Sequence, residues 1–188
     1  METGFYRYRL LLSAAVIFFL PAGFYSDQAV AKSATEINIG VTETLKRFKR
    51  EVPGGGKFLS RASGVLVFPS VIKAGIGIGG EYGEGALRVG DKTVDYYNTA
   101  SASIGFQLGA QAKSIVIVFM TAGALADFRK SDGWEAGVDG SVAVIEWGAA
   151  KDINTMDITD PVVGFVFNNK GLMYNLTLEG SKFTRLNK

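Results

Sequence analysis

Between Ala74 and Gly80 glycine occupies every second position: Gly75, Gly77 and Gly79, with Ile76 and Ile78 between them. In an extended strand alternate residues share a face, so this stretch has one face without side chains and one that is apolar. A bare face admits another backbone or a flat ligand, and it lets a sheet bend sharply. Sharp curvature is the commoner cause. Glycine takes 24 of the 188 positions, against a usual share of about 7%. These glycines fall inside apolar runs rather than in a linker, so they shape the fold.

From Gly64 onward the hydrophobic pattern has a period of two. It predicts strands over 64–68, 74–80, 85–89, 93–97, 102–108, 114–120, 138–147, 162–167 and 172–179. Gly90-Asp91-Lys92 and Asn168-Asn169-Lys170-Gly171 supply hairpin turns, and Ser70 after Pro69 reads as a turn residue. Ahead of the strands, Ser33 and Glu36 form a capping box, and Ile37, Val41, Leu45, Phe48 and Val52 recur at helical spacing. Pro53 and Gly54 to Gly56 stop that helix. A second helix is expected over 121–130, with Leu125 and Phe128 inward. The result is an α+β fold: a strongly curled, largely antiparallel, glycine-rich β-sheet or barrel with an N-terminal amphipathic helix and one further helix.

The first 31 residues have a different character. Arg7 and Arg9 precede an 11-residue apolar run, Leu10 to Leu20, and Ala29-Val30-Ala31 follows as a small-x-small cleavage pattern. As a helix the run would be about 16 Å long, too short for a hydrocarbon core of about 30 Å. Residues 1–31 are therefore expected to be a secretory signal peptide, and residues 32–188 one mature domain. That places the protein outside the cytoplasm, periplasmic or associated with the cell envelope.

The chain contains no cysteine and no histidine. Thiolate nucleophiles, zinc-thiolate sites and the commonest general base are thereby excluded. Lys plus Arg number 20 and Asp plus Glu 18, so no general positive field draws the chain to nucleic acid. Gly75, Gly77 and Gly80 match a dinucleotide fingerprint with Asp95 downstream, but Gly83, Gly85 and Gly90 follow too closely for the helix it requires. Ser70-Val71-Ile72-Lys73 fits S-x-x-K, although its companion motifs are incomplete and out of order. Glu81 and Glu84 could serve as an acid and base, yet an odd step puts them on opposite faces of a strand. Asp152, Asn154 and Asp157 resemble a calcium loop without its glycine or closing glutamate. No enzymatic activity, cofactor or metal is expected.

One feature suggests binding. The first helix carries Lys46, Arg47, Lys49 and Arg50 on its other side, and Lys57 and Arg61 follow the break. Basic residues beside an apolar stripe suit an anionic lipid surface, and they equally suit the solvated end of a core-packed helix.

The stretch GVLVFPSVIKAGIGIGGEYGEGALRV (Gly64 to Val89) resembles the SYLF domain, as do SIGFQLGAQAKSIVIVFMT (Ser103 to Thr121), GVDGSVAV (Gly137 to Val144) and GLMYNLTLEGS (Gly171 to Ser181). The resemblance implies non-enzymatic binding of phosphoinositides or other anionic phospholipids through a basic, amphipathic N-terminal segment. Here that segment is the helix bearing Lys46, Arg47, Lys49 and Arg50. Some eukaryotic members also bind actin, a partner that an exported chain would not meet. The competing expectation is a structural or protein-interaction module that holds an envelope partner without lipid. Protein isolated from its native host is expected to begin near Lys32. N-terminal sequencing or intact mass checks this, and a membrane-retained chain that still carries Met1 would favour an uncleaved anchor.

Overall fold

The computed structural model describes residues 31–145, 159–168, 171–172 and 178–188. The apolar run at 10–20 and the acidic loop at 152–157 lie outside them. Helix α1 is Ala34–Glu51 and starts on the expected capping box, with Ser33 Oγ accepting from the Glu36 N–H and the Glu36 carboxylate accepting from Ser33. These bonds hold the Glu36 carboxyl below its ordinary value of 4.5. Their contribution is present above that value and is lost as pH falls through the lowered one. After Gly54, in the left-handed region at φ 73°, a short helix α2 covers Gly55–Arg61. Sequence periodicity missed α2 because three glycines read as a breaker, but burial of Phe58 anchors it.

Two long strands follow. β1 is Gly64–Val89 and β2 is Lys92–Phe119, paired antiparallel about the Gly90-Asp91 turn, where Gly90 has φ 58°. The six shorter strands expected between residues 64 and 120 are merged into these two. Pro69 and Ser70 do not turn the chain. They occupy a bulge where the register slips between Phe68 and Val71, which accommodates a residue with no N–H, and Ser114 Oγ donates to the Pro69 carbonyl at 2.8 Å.

Helix α3 (Ala122–Lys130) is capped by Thr121, and Phe128 is buried as expected. The strand expected over 138–147 is replaced, within the described residues, by β3 (Trp134–Glu135), a turn and β4 (Ala143–Ile145). Gly137 at φ 89° and the Asp139 carboxylate accepting from the Glu135 N–H make that turn, and Val138 is exposed at its tip. β5 (Val162–Asn168), β6 (Gly171–Leu172) and β7 (Lys182–Leu186) complete the described strands. Of the strand expected over 172–179, residues 173–177 lie outside the description, as do Asn169 and Lys170 of the second hairpin turn. β7 was not anticipated.

The strand order is β3-β7-β2-β5-β4, with β1 on β2 and β6 on β5, and every pairing is antiparallel except β4 with β5. The sheet is buried on both faces at its centre. On one side Val65, Val67, Val116, Val118, Val163 and Phe165 pack beneath Ile37, Val41, Phe48 and Phe58 of the two N-terminal helices. On the other, Leu66, Phe68, Ile117 and Phe119 meet Phe128, Trp134 and Phe183. This explains why 64–68, 115–119 and 162–167 are continuous apolar runs rather than alternating ones.

β1 also doubles back on itself. A Cβ on Gly83 would lie 2.8 Å from the Ser70 carbonyl oxygen, and one on Gly85 would overlap the Val67 carbonyl and stand 2.7 Å from the Phe68 ring. The return occurs between Val71 and Gly83, the stretch that contains the alternating glycines. Gly85→Ala is expected to destabilise by about 1–3 kcal/mol through overpacking. Gly123→Ala, where a Cβ meets nothing within 4 Å, should be neutral or stabilising by up to about 1 kcal/mol. Urea midpoints of the two variants check the contrast.

Candidate functional site

The apolar stripe of α1 is inside the protein, so any function of this helix falls to its outer side. Arg47 and Lys49 are two residues apart, about 200° around the helix, and flank the buried stripe on opposite sides. Lys46 and Arg50 lie between them on the outer face. Arg47 is half-buried, 3.4 Å from the Glu51 carboxylate and with its guanidinium 5.4 Å from the centre of the Phe167 ring. Its contacts are those of a packing residue, which corrects the expectation that it faces solvent with its neighbours. Lys46 and Arg50 are exposed, each 2.8 Å from a carboxylate, Glu43 and Glu51 respectively.

Lys49, Lys57 and Arg61 differ from these. All three are exposed and have no ion-pair partner among the described residues. Lys57 and Arg61 stand one turn apart on α2, which packs against the end of α1 where Lys49 lies. Between these helices and the β1–β2 turn is a cleft whose wall includes Lys49 and Arg88. Arg88 was not anticipated. Strand alternation puts it two residues beyond Ala86, on the face that α1 covers, but nothing in the sequence says which face that is.

The acidic residues have structural partners. Glu81 is held by Lys113 at 2.6 Å and Lys73 at 3.6 Å, with all three side chains largely buried. This takes up the lysine of the S-x-x-K motif, whose serine lies in the β1 bulge. Glu84 is buried and accepts from the Tyr82 hydroxyl at 3.0 Å, the Lys32 backbone N–H at 3.0 Å and the Lys188 ammonium at 3.2 Å. Burial, followed by the bond to Glu84, raises the Tyr82 hydroxyl above its ordinary range. Asp95 joins β2 to α3 and β7 through Arg129 at 3.1 Å and Arg185 at 3.8 Å. Gly75 to Gly80 run through the middle of β1 and open no helix, so the dinucleotide reading fails on geometry. Among the described residues no group of three acidic side chains is placed to hold a metal ion, and no helix is long and apolar enough to cross a membrane.

Residues 100–188 match the family model described as Ysc84, Las17-binding protein actin regulator. Over these residues the chain is similar to the Ysc84, or SYLF, family, the one that its glycine-rich blocks resemble. This is a family of binding or adaptor domains and not of enzymes. Comparison with curated proteins finds no match. The SYLF match opens inside β2 and takes in α3 and β3 to β7, so the helices with the candidate cations precede it. Arg47→Ala is expected to lower stability by about 1 kcal/mol through loss of the ring contact and the half-exposed ion pair. Lys46→Ala should stay within about 0.5 kcal/mol. Chemical denaturation of the two variants tests whether Arg47 belongs to the core or to the surface.

Proposed function

We propose that the protein binds anionic phospholipid at a membrane surface of the cell envelope, without enzymatic activity, through the exposed cations of α1 and α2. The observation that carries this reading is that Lys49, Lys57 and Arg61 project from adjoining helices with no carboxylate partner among the described residues. Lys46 and Arg50 add charge that Glu43 and Glu51 partly offset. Because Ile37, Val41 and Phe48 are committed to the core and Ile39 is the exposed large apolar side chain left on α1 among the described residues, attraction is chiefly electrostatic and reversible. Similarity to a binding family supports the reading, as does the absence of histidine and cysteine chemistry.

A second reading, a protein-docking module, draws on a different observation. Among the described residues β1 pairs only with β2, and Ile72 and Tyr82 on it are more than half exposed. A partner strand or loop would find main-chain groups and apolar side chains there.

Vesicle sedimentation separates the two. Each cation near an anionic surface contributes about 1 kcal/mol, so Lys49→Gln, Lys57→Gln and Arg61→Gln together are expected to weaken binding by about a hundredfold. Arg47 is left intact so that the fold is preserved. Wild-type binding should also fall steeply with salt, since screening at physiological ionic strength acts within about 8 Å. A folded triple variant that sediments as well as wild type would transfer the case to the β1 edge.

A further inference from the structure

Among the described residues Arg88 is a cation without a counter-charge. Its Nη1 donates to the Asp91 carbonyl at 3.1 Å and its Nη2 to Thr42 Oγ1 at 3.0 Å. Its Nε is buried with no acceptor among the described residues. No carboxylate pairs with it there. A guanidinium drawn partly out of water in this way retains strong demand for an anion, because its present acceptors are neutral. Lys49, which lines the same cleft, likewise has no ion-pair partner among the described residues. The cleft that both line has a volume of about 250 Å³, and Leu45, Leu59 and Val65 supply apolar lining.

Resting on the lipid reading above, we infer that this cleft is a headgroup site that takes the phosphate of an anionic phospholipid between Lys49 and Arg88. Its volume lies below the range of about 300–1,000 Å³ usual for pockets that enclose a whole ligand. A glycerophosphate group fits the chemistry, with oxygen atoms at the cationic end and glycerol carbons against Leu45 and Leu59. The acyl chains stay in the membrane. Lys57 and Arg61, on the helix that forms one wall, then meet neighbouring headgroups. Arg88 is held from two directions, by α1 through Thr42 and by the β1–β2 turn through Asp91, so its fork is positioned before the ligand arrives. Asp91 also lines the cleft, and its negative charge opposes an anion there, which gives the site a distinctive sign test.

The full-length domain is titrated with soluble glycerol phosphate while the backbone amides of Gly56, Leu59 and Gly90 are followed by NMR, and in parallel with phosphatidylglycerol and phosphatidylcholine vesicles. Saturable shifts at these amides are expected. Arg88→Gln and Lys49→Gln should each weaken binding about tenfold or more, whereas Asp91→Asn should strengthen it. Lys49 is exposed, so its variant keeps the test decisive if Arg88→Gln unfolds. Vesicle binding that responds to Lys57 and Arg61 while glycerol phosphate leaves the cleft amides unmoved would overturn the headgroup site and leave the surface reading standing. Glycerol phosphate that binds the cleft of a protein indifferent to phosphatidylglycerol vesicles would show a free phosphate ester as the ligand, and would overturn the lipid assignment.

Discussion

The fold depends on a close approach of backbone to backbone. β1 can return across its own beginning only because Gly83 and Gly85 present no Cβ to the carbonyls of Ser70 and Val67. That contact brings the two halves of the β1–β2 ribbon together, so Leu66 and Phe68 from one half share a core with Leu87 and Tyr97 from the other. With the ribbon folded, β5 can join one end of β2 and β7 the other. The two hydrophobic layers follow from this arrangement, one roofed by α1 and α2 and the other filled by the aromatic cluster around Phe128. A flat ribbon would leave both layers open to water.

The same arrangement determines what the N-terminal helices can do. A helix whose apolar stripe is already buried does not have that stripe free for a bilayer, and what α1 turns outward is mainly charge. Its charges are not equivalent. Arg47 spends its guanidinium on Phe167 and Glu51, Lys46 and Arg50 sit beside carboxylates, and the cations left without partners are those nearest the junction of α1, α2 and the β1–β2 turn. Arg88 extends that group inward from the strand, where its alternation with Ala86 directs it toward the helices.

Much of the fold was legible because local signals agreed with the tertiary outcome. The capping box at Ser33, the Gly90-Asp91 turn and the helix ending near Lys130 each depend on a few adjacent residues, and each forms where its chemistry predicts. What was not legible depends on distant partners. Whether Pro69 ends a strand or sits in a bulge is decided by Ser114 across the ladder. The helix at Gly55–Arg61 exists because Phe58 finds Phe165, at a ring-centre distance of 4.8 Å. The candidate site shows the same division. Lys49 was identifiable as a surface cation from helical spacing, and Lys57 and Arg61 only from their place after the helix break, while the half-buried state of Arg47 and the orphaned Nε of Arg88 arise from β5, α1 and the hairpin turn, none of which a local pattern reports.

Glu84 ties together parts of the chain that are far apart in sequence. Its carboxylate receives the backbone N–H of Lys32 and the ammonium of Lys188, and that ammonium also reaches the Lys32 carbonyl. The path from residue 32 to residue 188 is therefore a nearly closed ring, clasped at a buried point on β1. Tension applied across residues 32 and 188 would load this clasp before it reached any strand pairing. The ladders would come under load only after Glu84 had released Lys32 and Lys188.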